Sequence, residues 1–429
     1  MKQRVKYDAE FQLLLYDIFI KLREADMNII YATDNFPPPY SGHAKAVINM
    51  STAMRKKGHS ILIIAPSPTG FKNYSGDLSK VTQNTDTEAK SIEVYYLKSI
   101  HFFHGDNVLK SILINSAHIR QIISDFNPDI IHYNGWGPLC KKVYKAQINF
   151  NNIETIATCH GVPMHVTAKI VRQNIITKKL EKIIWKLMVQ FYNKLKIVIS
   201  PSDYVNSKLL AAGLAEDKGI VISNGIETNK YVKYKGSKKK EIRKRYKLQS
   251  AKILITYIGR LEPEKNIHIL IKTMKYFQHN KSIFFVIAGS GKLKGKLQSI
   301  CNKNKYNVNL LHWLNHEELI NILGVSDIFF NPSPSESQSI TTLEAMASYL
   351  PIVAADEGAL PDLVKDNVNG YSFKNNDFKS CTNKLSFLAN NPLLVKEFGN
   401  KSRENAYLHD RKLVMNMLEK KYISLIKHI

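Results

Sequence analysis

The stretch Asn331-Pro-Ser-Pro-Ser-Glu-Ser-Gln-Ser-Ile-Thr-Thr-Leu-Glu-Ala-Met-Ala347 joins a predicted buried strand to a helix through a loop of small polar residues. The loop carries one carboxylate, Glu336, and the helical part carries a second, Glu344. Thr341-x-x-Glu344 has the spacing of a capping box, which marks a helix start. Free amides and the helix dipole at such a junction attract anions, so the stretch predicts a site for a phosphorylated ligand.

Short apolar segments on both sides of this stretch alternate with segments of helical periodicity, a pattern typical of parallel sheets covered by helices. In the C-terminal half we predict strands at 252–258, 282–288, 308–312, 328–330, 351–354 and 370–373. In the N-terminal half we predict them at 28–33, 60–65, 130–133, 154–159, 196–200 and 219–223. The predicted fold class is therefore α/β, with two Rossmann-like doubly wound sheets.

A polar, basic segment at 231–245 separates the two series, and 429 residues are too many for one ordinary core. We predict an N-terminal extension over 1–26, one domain over 27–228 and a second over 229–404. A C-terminal helix over 405–429 is expected to pack back on the N-terminal domain. Open parallel sheets bind ligands beyond the carboxyl ends of their strands, so both domains are expected to face a central cleft.

The chain carries 61 Lys and Arg against 36 Asp and Glu, a formal net charge of +25. Such an excess suits an anionic partner: a pyrophosphate-containing ligand, an anionic lipid surface or nucleic acid. A lysine-rich proteome produces the same composition without any function. Charge alone does not choose among these alternatives.

The chain has four cysteines, Cys140, Cys159, Cys301 and Cys381. They are scattered without disulfide or metal-ligand spacing, so we expect a cytoplasmic protein with no metal site. No run of eighteen apolar residues occurs in the sequence. Residues 11–22 are apolar but interrupted by Asp17 and Lys21, and we interpret them as a loose or surface helix rather than a signal peptide.

Two further strand-to-helix turns carry small residues. The turn Tyr257-Ile-Gly-Arg-Leu-Glu-Pro-Glu-Lys-Asn266 combines Gly259 with Arg260 and Lys265, a guanidinium fork and a point charge that suit a diphosphate. A pair of solvated surface cations is the alternative. The turn Ala288-Gly-Ser-Gly291 places Gly289 directly after a predicted strand, just as Gly259 directly follows one. Such turns are common, and only this repetition of position supports a binding role for Gly289.

Glu336 and Glu344 admit two interpretations. In the structural one, Glu344 closes the capping box and Glu336 is an exposed loop carboxylate. In the functional one, Glu344 accepts hydrogen bonds from two hydroxyls of a sugar, and Glu336 contacts another group of the same ligand. A carboxylate beside a phosphate is unfavourable unless a hydroxylated ligand uses it, which favours the functional interpretation.

Four segments carry a family resemblance: Ser200-Pro-Ser-Asp-Tyr-Val205, Ile222-Ser-Asn-Gly-Ile226, Gly259-Arg-Leu-Glu-Pro-Glu-Lys-Asn266 and Leu343-Glu-Ala-Met-Ala347. With the E-x(7)-E spacing of Glu336 and Glu344, they resemble the landmarks of retaining glycosyltransferase family 4, the group 1 glycosyltransferases. The resemblance runs from about residue 27 to 373 and is strongest from 196 onward. It implies the GT-B architecture, a nucleotide-diphosphate sugar bound mainly by the C-terminal domain, and no other cofactor.

The resemblance also implies roles for individual residues. Arg260 and Lys265 would bind the diphosphate, Glu344 the ribose and Glu336 the transferred sugar, and we predict Glu336, Arg260 and Lys265 as the catalytic set. The predicted donor-binding set is Gly42, Gly259, Arg260, Lys265, Gly289, Glu336, Ser339, Ile340, Thr341 and Glu344.

The resemblance is altered on the acceptor side. Similar proteins carry a Gly-Gly pair in the first loop; Gly42 keeps the second glycine, but Ser41 replaces the first. Asn134 stands where many relatives have a histidine near the reacting sugar. His132, Asn134 and His160 are the predicted acceptor or sugar contacts, and ordinary strand-end histidines are the alternative for His132 and His160.

Two departures lie near the opening stretch. Ser337-Gln338-Ser339 stands where relatives often have Gly-Phe-Gly, which we expect to affect sugar preference. Tyr349 stands at a helix end where relatives usually place glycine. A left-handed conformation there would cost roughly 1 kcal/mol.

The segment 176–191 bears on the acceptor. Seven apolar residues share one helical face: Ile176, Leu180, Ile183, Ile184, Leu187, Met188 and Phe191. Off that face lie Lys178, Lys179, Lys182 and Lys186, with Trp185 nearby. A basic amphipathic helix can lie on an anionic membrane. A core-packed helix with a solvated basic face is the favoured alternative, compatible with membrane contact if only the basic face and Trp185 meet lipid.

We therefore predict a retaining hexosyltransferase that uses a nucleotide-sugar donor and acts on a glycolipid, lipid-linked saccharide or cell-surface glycan. Its expected location is cytoplasmic and peripheral at the inner membrane face, with an anionic membrane surface as partner and no nucleic acid. The alternatives are a glycosyltransferase of a soluble acceptor and a non-enzymatic basic binding protein.

Overall fold

The computed structural model describes residues 26–36, 42–67, 74–77, 92–102, 109–112, 116–161, 163, 175–248 and 252–426. The predicted extension, apart from Asp26, lies outside the described residues, as does Ser41 of the first loop.

The N-terminal domain is built on an eight-stranded sheet. Its strands are β1 Asn28–Thr33, β2 Ser60–Pro66, β3 Tyr74–Asp77, β4 Glu93–Leu97, β7 Ile130–Asn134, β8 Glu154–Thr158, β9 Ile197–Ser200 and β10 Gly219–Val221. They follow the order β10-β9-β8-β7-β1-β2-β4-β3, and β3 pairs antiparallel with β4 at one edge while the other pairings are parallel. A separate two-stranded antiparallel sheet contains β5 Ser99–Phe102 and β6 Leu109–Ile112.

Helices cover both faces of this sheet. They are α1 Gly42–Lys56, α2 Ser116–Phe126, α3 Pro138–Gln147, α4 Ile175–Tyr192 and α5 Asp203–Ala211. One apolar cluster joins the sheet to α2, α3, α4 and α5, and a second joins its opposite face to α1. The central strands are buried on both faces, which is why they are continuous apolar runs in the sequence.

The C-terminal domain is built on a six-stranded parallel sheet. Its strands are β11 Ile253–Ile258, β12 Ile283–Ala288, β13 Val308–Leu311, β14 Ile328–Asn331, β15 Ile352–Ala355 and β16 Gly370–Phe373, in the order β13-β12-β11-β14-β15-β16. Its helices are α6 Gly236–Arg245, α7 Ile267–Phe277, α8 Lys294–Asn304, α9 His316–Val325, α10 Ile340–Ala347, α11 Leu360–Leu363, α12 Phe378–Ala389 and α13 Pro392–Tyr407.

These two sheets confirm the predicted fold class. Each of the twelve predicted strands is present, with bounds that differ by at most two residues at either end. The predictions missed β3 to β6, because their short segments mix polar and apolar residues without the long buried runs of the central strands. The strand order of the C-terminal sheet places the ends of β12, β11, β14 and β15 side by side.

The last helix, α14 Arg411–Ile426, packs on the N-terminal sheet. Its Tyr422 hydroxyl lies 3.1 Å from the hydroxyl of Tyr31 in β1. Where the chain crosses back, the Ile226 amide donates to the His409 carbonyl at 2.9 Å and the Arg411 amide donates to the Ile226 carbonyl at 2.8 Å. The two crossings between the domains therefore lie side by side and hold each other.

The capping box predicted at Thr341 and Glu344 is wrong. Helix α10 begins at Ile340, its N-cap is Ser339 in a left-handed conformation, and no side chain caps it. Glu344 therefore lies in the middle of the helix. Within the described residues, the capping box is at α9, where Asn315 and Glu318 bond reciprocally at 2.9 Å. None of the helices in the described part of the chain is both long and apolar enough to span a membrane.

Candidate functional site

The loops after four adjacent C-terminal strands meet at one edge of the sheet. Gly289, after β12, packs directly on the loop after β11: a Cβ at this position would lie 1.9 Å from the Gly259 carbonyl oxygen. Gly358, after β15, has φ +63°, and a Cβ there would lie 2.9 Å from the Glu336 carbonyl oxygen. Gly289 and Gly358 are both needed for the close approach of these loops. The predicted donor-binding residues Gly259 and Gly289 therefore lie together at the strand ends.

Lys265 and Glu336 form an ion pair in which Nζ lies 2.8 Å from Oε1. Lys265 also donates to the Ser335 carbonyl at 3.0 Å, and both side chains are mostly buried. The ion pair joins two members of the predicted catalytic set across the loops after β11 and β14. In this arrangement the carboxylate holds the lysine beside the loop that precedes α10.

Arg260 pairs with a carboxylate that the sequence prediction did not use. Its guanidinium lies 2.8 Å from Oε1 of Glu264, which follows four residues later in the same loop. The Glu264 side chain is buried, while 31% of the Arg260 side chain is exposed. The guanidinium therefore keeps an open side toward solvent, where an anion can reach it.

Glu344 is a buried carboxylate, with 3% of its surface exposed. The Tyr231 hydroxyl donates to Oε1 at 2.8 Å, and Lys45 of α1 approaches the same oxygen to 3.9 Å from the N-terminal domain. Burial raises the pKa of Glu344, and the charge of Lys45 and the Tyr231 hydrogen bond oppose that rise. A carboxylate held in this way without full charge compensation is suited to accept hydrogen bonds from a ligand.

The start of α10 lies between these groups. Asn331, the last residue of β14, donates from Nδ2 to Oγ of Ser339 at 3.0 Å and to Oγ1 of Thr342 at 3.1 Å. These bonds fix the turn into the helix. The amides of Ile340 and Thr341 belong to the first turn and have no intrahelical acceptor, which makes this end of the helix suitable for an anion.

On the N-terminal side, His132 lies in the core and does not face the cleft. It is fully buried, and its ring nitrogens lie 2.5 Å from the Tyr422 hydroxyl and 2.7 Å from Oγ1 of Thr158. Burial lowers the pKa of His132 to about 3. This geometry fits the alternative of an ordinary strand histidine and corrects the prediction that it contacts acceptor or sugar.

Asn134 and His160 meet at the ends of adjacent strands. Nε2 of His160 lies 2.9 Å from Oδ1 of Asn134, and the His160 ring stacks on His43 of α1 with centroids 4.4 Å apart. Burial lowers the pKa of His160 well below its usual value, with the neighbouring His43 and His132 adding to the effect. Burial also lowers the pKa of His43 to about 4, so both imidazoles, of His43 and His160, are neutral near pH 7.

The loop before α10 also contacts the N-terminal domain. The Ser337 hydroxyl donates to the His160 carbonyl at 3.2 Å, and the Ser202 hydroxyl donates to the Ser337 carbonyl at 2.6 Å. Oε1 of Gln338 accepts from the Asn224 amide at 3.0 Å and from its Nδ2 at 2.7 Å. Ser337 and Gln338, expected to affect sugar preference, thus hold the two domains together.

Gly42 is the first residue of α1 and is exposed. Among the described residues, no atom lies within 4 Å of the place that a Cβ at this position would occupy. The predicted contact of its backbone with a donor phosphate stays a prediction.

Four residues near the site were absent from the predicted set: Lys45, Tyr231, His43 and Gln338. Lys45 and His43 follow Gly42 within one helical turn, and that proximity was the signal available in the sequence. Tyr231 lies in the segment between the domains, and its contact with Glu344 spans 113 positions of the chain. No local pattern indicates a contact of that kind.

Two family models match this chain, and together they cover most of it. The model described as glycosyl transferases group 1 matches residues 238–407, which form most of the C-terminal domain. The model described as glycosyltransferase family 4 matches residues 40–230 of the N-terminal domain.

Curated relatives extend over both domains. The α-monoglucosyldiacylglycerol synthase of Acholeplasma laidlawii is 21% identical over 410 residues, which are 93% of this chain and 98% of the relative. The sulfoquinovosyl transferase of Arabidopsis thaliana is 25% identical over 299 residues, 69% of this chain and 56% of the relative.

Solved structures share the architecture. The crystal structure of Anabaena HepE in complex with UDP superposes with a TM-score of 0.72 at 16% identity, covering 93% of this chain and all of that one. At this identity the likeness shows the two-domain fold.

Proposed function

The chain belongs to the group 1 glycosyltransferases, and we propose that it moves a hexose from a nucleotide-diphosphate sugar to a glycolipid, lipid-linked saccharide or cell-surface glycan. The observation that carries the proposal is a set of charged groups in the loops after β11 and β14 and in α10: the ion pairs Lys265–Glu336 and Arg260–Glu264, and the Glu344 carboxylate, which accepts from Tyr231. Two cations beside a helix start can hold a diphosphate, and two carboxylates can hold hydroxyl groups.

In the proposed complex, Glu344 accepts hydrogen bonds from the two ribose hydroxyls. Its burial supports this role, because a desolvated carboxylate gains more from such bonds than a solvated one. Glu336 turns to hydroxyls of the transferred sugar, and Lys265 then contacts the diphosphate together with Arg260. The cations and the first amides of α10 stabilise the negative charge that develops on the leaving phosphate.

We propose that transfer retains the anomeric configuration and that a leaving phosphate oxygen takes the proton of the acceptor hydroxyl. The histidines on the acceptor side support this, since burial lowers the pKa values of His43 and His160 and makes both weak bases. A group with a low pKa takes a proton from a hydroxyl poorly. The anomeric configuration of the product, determined by NMR, tests this part of the proposal.

The choice of acceptor rests on the relatives. The Acholeplasma laidlawii relative is named for a glycolipid product, and the family resemblance extends over the N-terminal domain that we assign to the acceptor. We propose that the reaction takes place at the cytosolic face of a membrane. The net charge of +25 favours such a surface.

The donor test is a thermal-shift screen with UDP-, GDP- and ADP-sugars followed by turnover measurements. We expect one donor class to raise the Tm, since a ligand at 100 times its Kd stabilises by about 2.7 kcal/mol. Lys265→Ala should lower turnover by at least a hundredfold, as expected for loss of a charge on the leaving group. Lys275→Ala is the matched control, because Lys275 is an exposed lysine of the same domain.

The outcomes separate the alternatives. No Tm shift with any donor and no turnover would contradict the enzyme proposal and favour a non-enzymatic binding protein. Turnover with a water-soluble glycan but none with a lipid-linked one would keep the enzyme and overturn the proposed acceptor.

A further inference from the structure

Helix α4 Ile175–Tyr192 presents one face to the core of the N-terminal domain. Met188, Val189, Phe191 and Tyr192 are buried in the cluster that includes β7 and β8, and Ile184 and Trp185 pack against it. Trp185 therefore packs on protein and is half-buried, and its contact with lipid stays a prediction. The side chains of Ile176 and Lys178 lie outside the described residues.

The opposite face of α4 is exposed and carries both charge and apolar surface. Ile183 and Leu187, which we predicted on the apolar face with Ile184 and Met188, are 54% and 44% exposed. They are four positions apart and thus neighbours on the helix surface. Lys179, Lys182 and Lys186 are exposed next to them on one flank, so the face combines two adjacent aliphatic side chains with three cations.

This face differs from an ordinary solvated helix surface. At 100° per residue, the five side chains span about 140° of the helix, with the lysines on one side and the aliphatic pair on the other. The described carboxylate of α4, Glu181, falls on the far side, at about 160° from Ile183. An aliphatic stripe flanked by one sign of charge matches an anionic bilayer, where lysines meet headgroups and aliphatic groups enter the interface.

The topology places the start of α4 at the cleft end of the domain. Helix α4 lies between β8 and β9, which are parallel, so it runs back from the carboxyl ends of the strands toward their amino ends. Its first turns, with Lys179, therefore lie at the cleft end of the domain, the end at which His160 follows β8. A bilayer against this face would lie beside the opening of the proposed active site.

We propose that the exposed face of α4, formed by Lys179, Lys182, Ile183, Lys186 and Leu187, docks the protein on an anionic lipid bilayer. The purpose of this docking rests on the proposed lipid acceptor, but the docking itself is measured without catalysis. The docked orientation brings a membrane-embedded acceptor headgroup to the N-terminal side of the cleft. The occupant is the bilayer surface and not a soluble phosphate, since the aliphatic pair has no function toward a phosphate alone.

The experiment is flotation of the full chain with vesicles of phosphatidylcholine, with and without phosphatidylglycerol. We expect the wild-type chain to float with the anionic vesicles. A variant with Lys179→Gln, Lys182→Gln and Lys186→Gln should bind them on the order of a hundredfold more weakly, from the contribution of each lysine near an anionic surface. The pair Ile183→Ser and Leu187→Ser should weaken binding about tenfold or more, because both side chains lose interfacial burial.

Matched controls distinguish this face from general charge and general apolar exposure. Lys235→Gln, Lys240→Gln and Lys244→Gln remove the same charge from exposed positions around α6. Leu393→Ser and Leu408→Ser remove two leucines that are 85% and 72% exposed elsewhere. We expect both controls to float like the wild-type chain. Equal losses in a control and the matching α4 variant would overturn the proposal, as would wild-type flotation of the α4 variants.

The thermal shift with the nucleotide-sugar separates this proposal from the proposed function. The α4 variants should keep the donor-induced rise in Tm, since no α4 residue is assigned to donor binding. Wild-type flotation with no donor shift would contradict the proposed function and leave the docking face supported. A donor-induced rise in Tm with no flotation on anionic vesicles would support the proposed function and contradict the docking face.

Discussion

At the scale of single residues, the Glu344 carboxylate lowers the stability of the folded protein and has a proposed role in donor binding. Its carboxylate is buried, and burial raises its pKa against the opposing effects of Lys45 and Tyr231. We expect Glu344→Gln to raise the free energy of unfolding at pH 7 by about 1 kcal/mol, since the amide still accepts from Tyr231 and carries no charge to bury. The same variant should weaken donor binding at least tenfold, because charged acceptors form stronger hydrogen bonds.

The pH dependence of this variant follows from the direction of the pKa shift. A carboxyl group with a raised pKa in the folded state favours folding when protonated, and this contribution is lost as pH rises through the folded pKa. The advantage of Glu344→Gln should therefore shrink as pH falls toward the ordinary range of a glutamate. Chemical denaturation of both proteins between pH 7 and pH 4 measures it, and an advantage that grows toward low pH would contradict the assignment.

Tyr349 carries a backbone conformation that glycine adopts more easily. Its φ is +61°, the left-handed value predicted from its position at a helix end. Its ring also lies 5.2 Å from the Arg403 guanidinium, which donates to the Ala347 carbonyl at 2.6 Å. We expect Tyr349→Gly to change stability by less than about 1 kcal/mol, since relief of strain and loss of the cation–π contact nearly cancel.

Tyr349→Ala serves as the comparison for that prediction. Alanine keeps the left-handed strain and loses the ring contact, so we expect it to be about 1 kcal/mol less stable than the glycine variant. Urea denaturation of the two variants measures the difference. Equal stabilities would show that the left-handed conformation at this position is not strained.

At the scale of elements, the loop before α10 acts as an inter-domain contact. Gln338 is 2% exposed and bonds to Asn224, while its Nε2 donates to Oγ of Ser223 at 2.5 Å. We expect Gln338→Ala to destabilise the protein by roughly 1–3 kcal/mol, because the half-buried Asn224 loses its acceptor. The donor KM should rise as well, since the loop bearing Glu336 loses its support from the N-terminal domain.

Ser337→Ala is the control for this loop. It removes only the bond from the Ser337 hydroxyl to the His160 carbonyl and keeps the Ser202 bond to the Ser337 backbone. Thermal unfolding and donor KM should both show a smaller effect than for Gln338→Ala. A larger effect of the serine variant would mean that Gln338 is not the main inter-domain contact of this loop.

At the scale of the whole molecule, α14 and β7 meet around a buried histidine. His132 contacts Tyr422 and Thr158, and burial lowers its pKa to about 3. A histidine with a lowered folded pKa contributes stability above its unfolded pKa near 6.5, and that stability is lost as pH falls. We expect the wild-type protein to lose about 1.4 kcal/mol per pH unit for each such histidine below pH 6.5.

His132→Gln tests this acid sensitivity. The variant loses the titrating group, so its stability should fall less steeply between pH 6.5 and pH 4. The other histidines whose pKa burial lowers, among them His43 and His160, continue to contribute to the slope. Denaturation midpoints over this range measure both slopes. Identical slopes would show that His132 does not keep its neutral form in the folded protein.

The sequence by itself determined the two doubly wound sheets. The central strands, such as 28–33 and 328–330, are buried on both faces, and such burial requires continuous apolar runs that are visible without tertiary information. The order of short motifs around Arg260, Lys265 and Glu344 indicated the family for a similar reason. Each motif lies at the carboxyl end of a strand or in the helix that follows it, so its chemistry is encoded within a few consecutive residues.

Only the tertiary structure decided which side chains meet across the cleft and which side chains of α4 are exposed. The periodicity of 176–191 placed Ile183 and Leu187 with the core residues, but the neighbouring elements cover only part of that face. Glu344 has capping-box spacing, yet the helix begins one residue before Thr341 and its carboxylate meets Tyr231 and Lys45 instead. Local spacing defines which residues share a face, while the packing of distant segments decides whether that face is buried, charged or open.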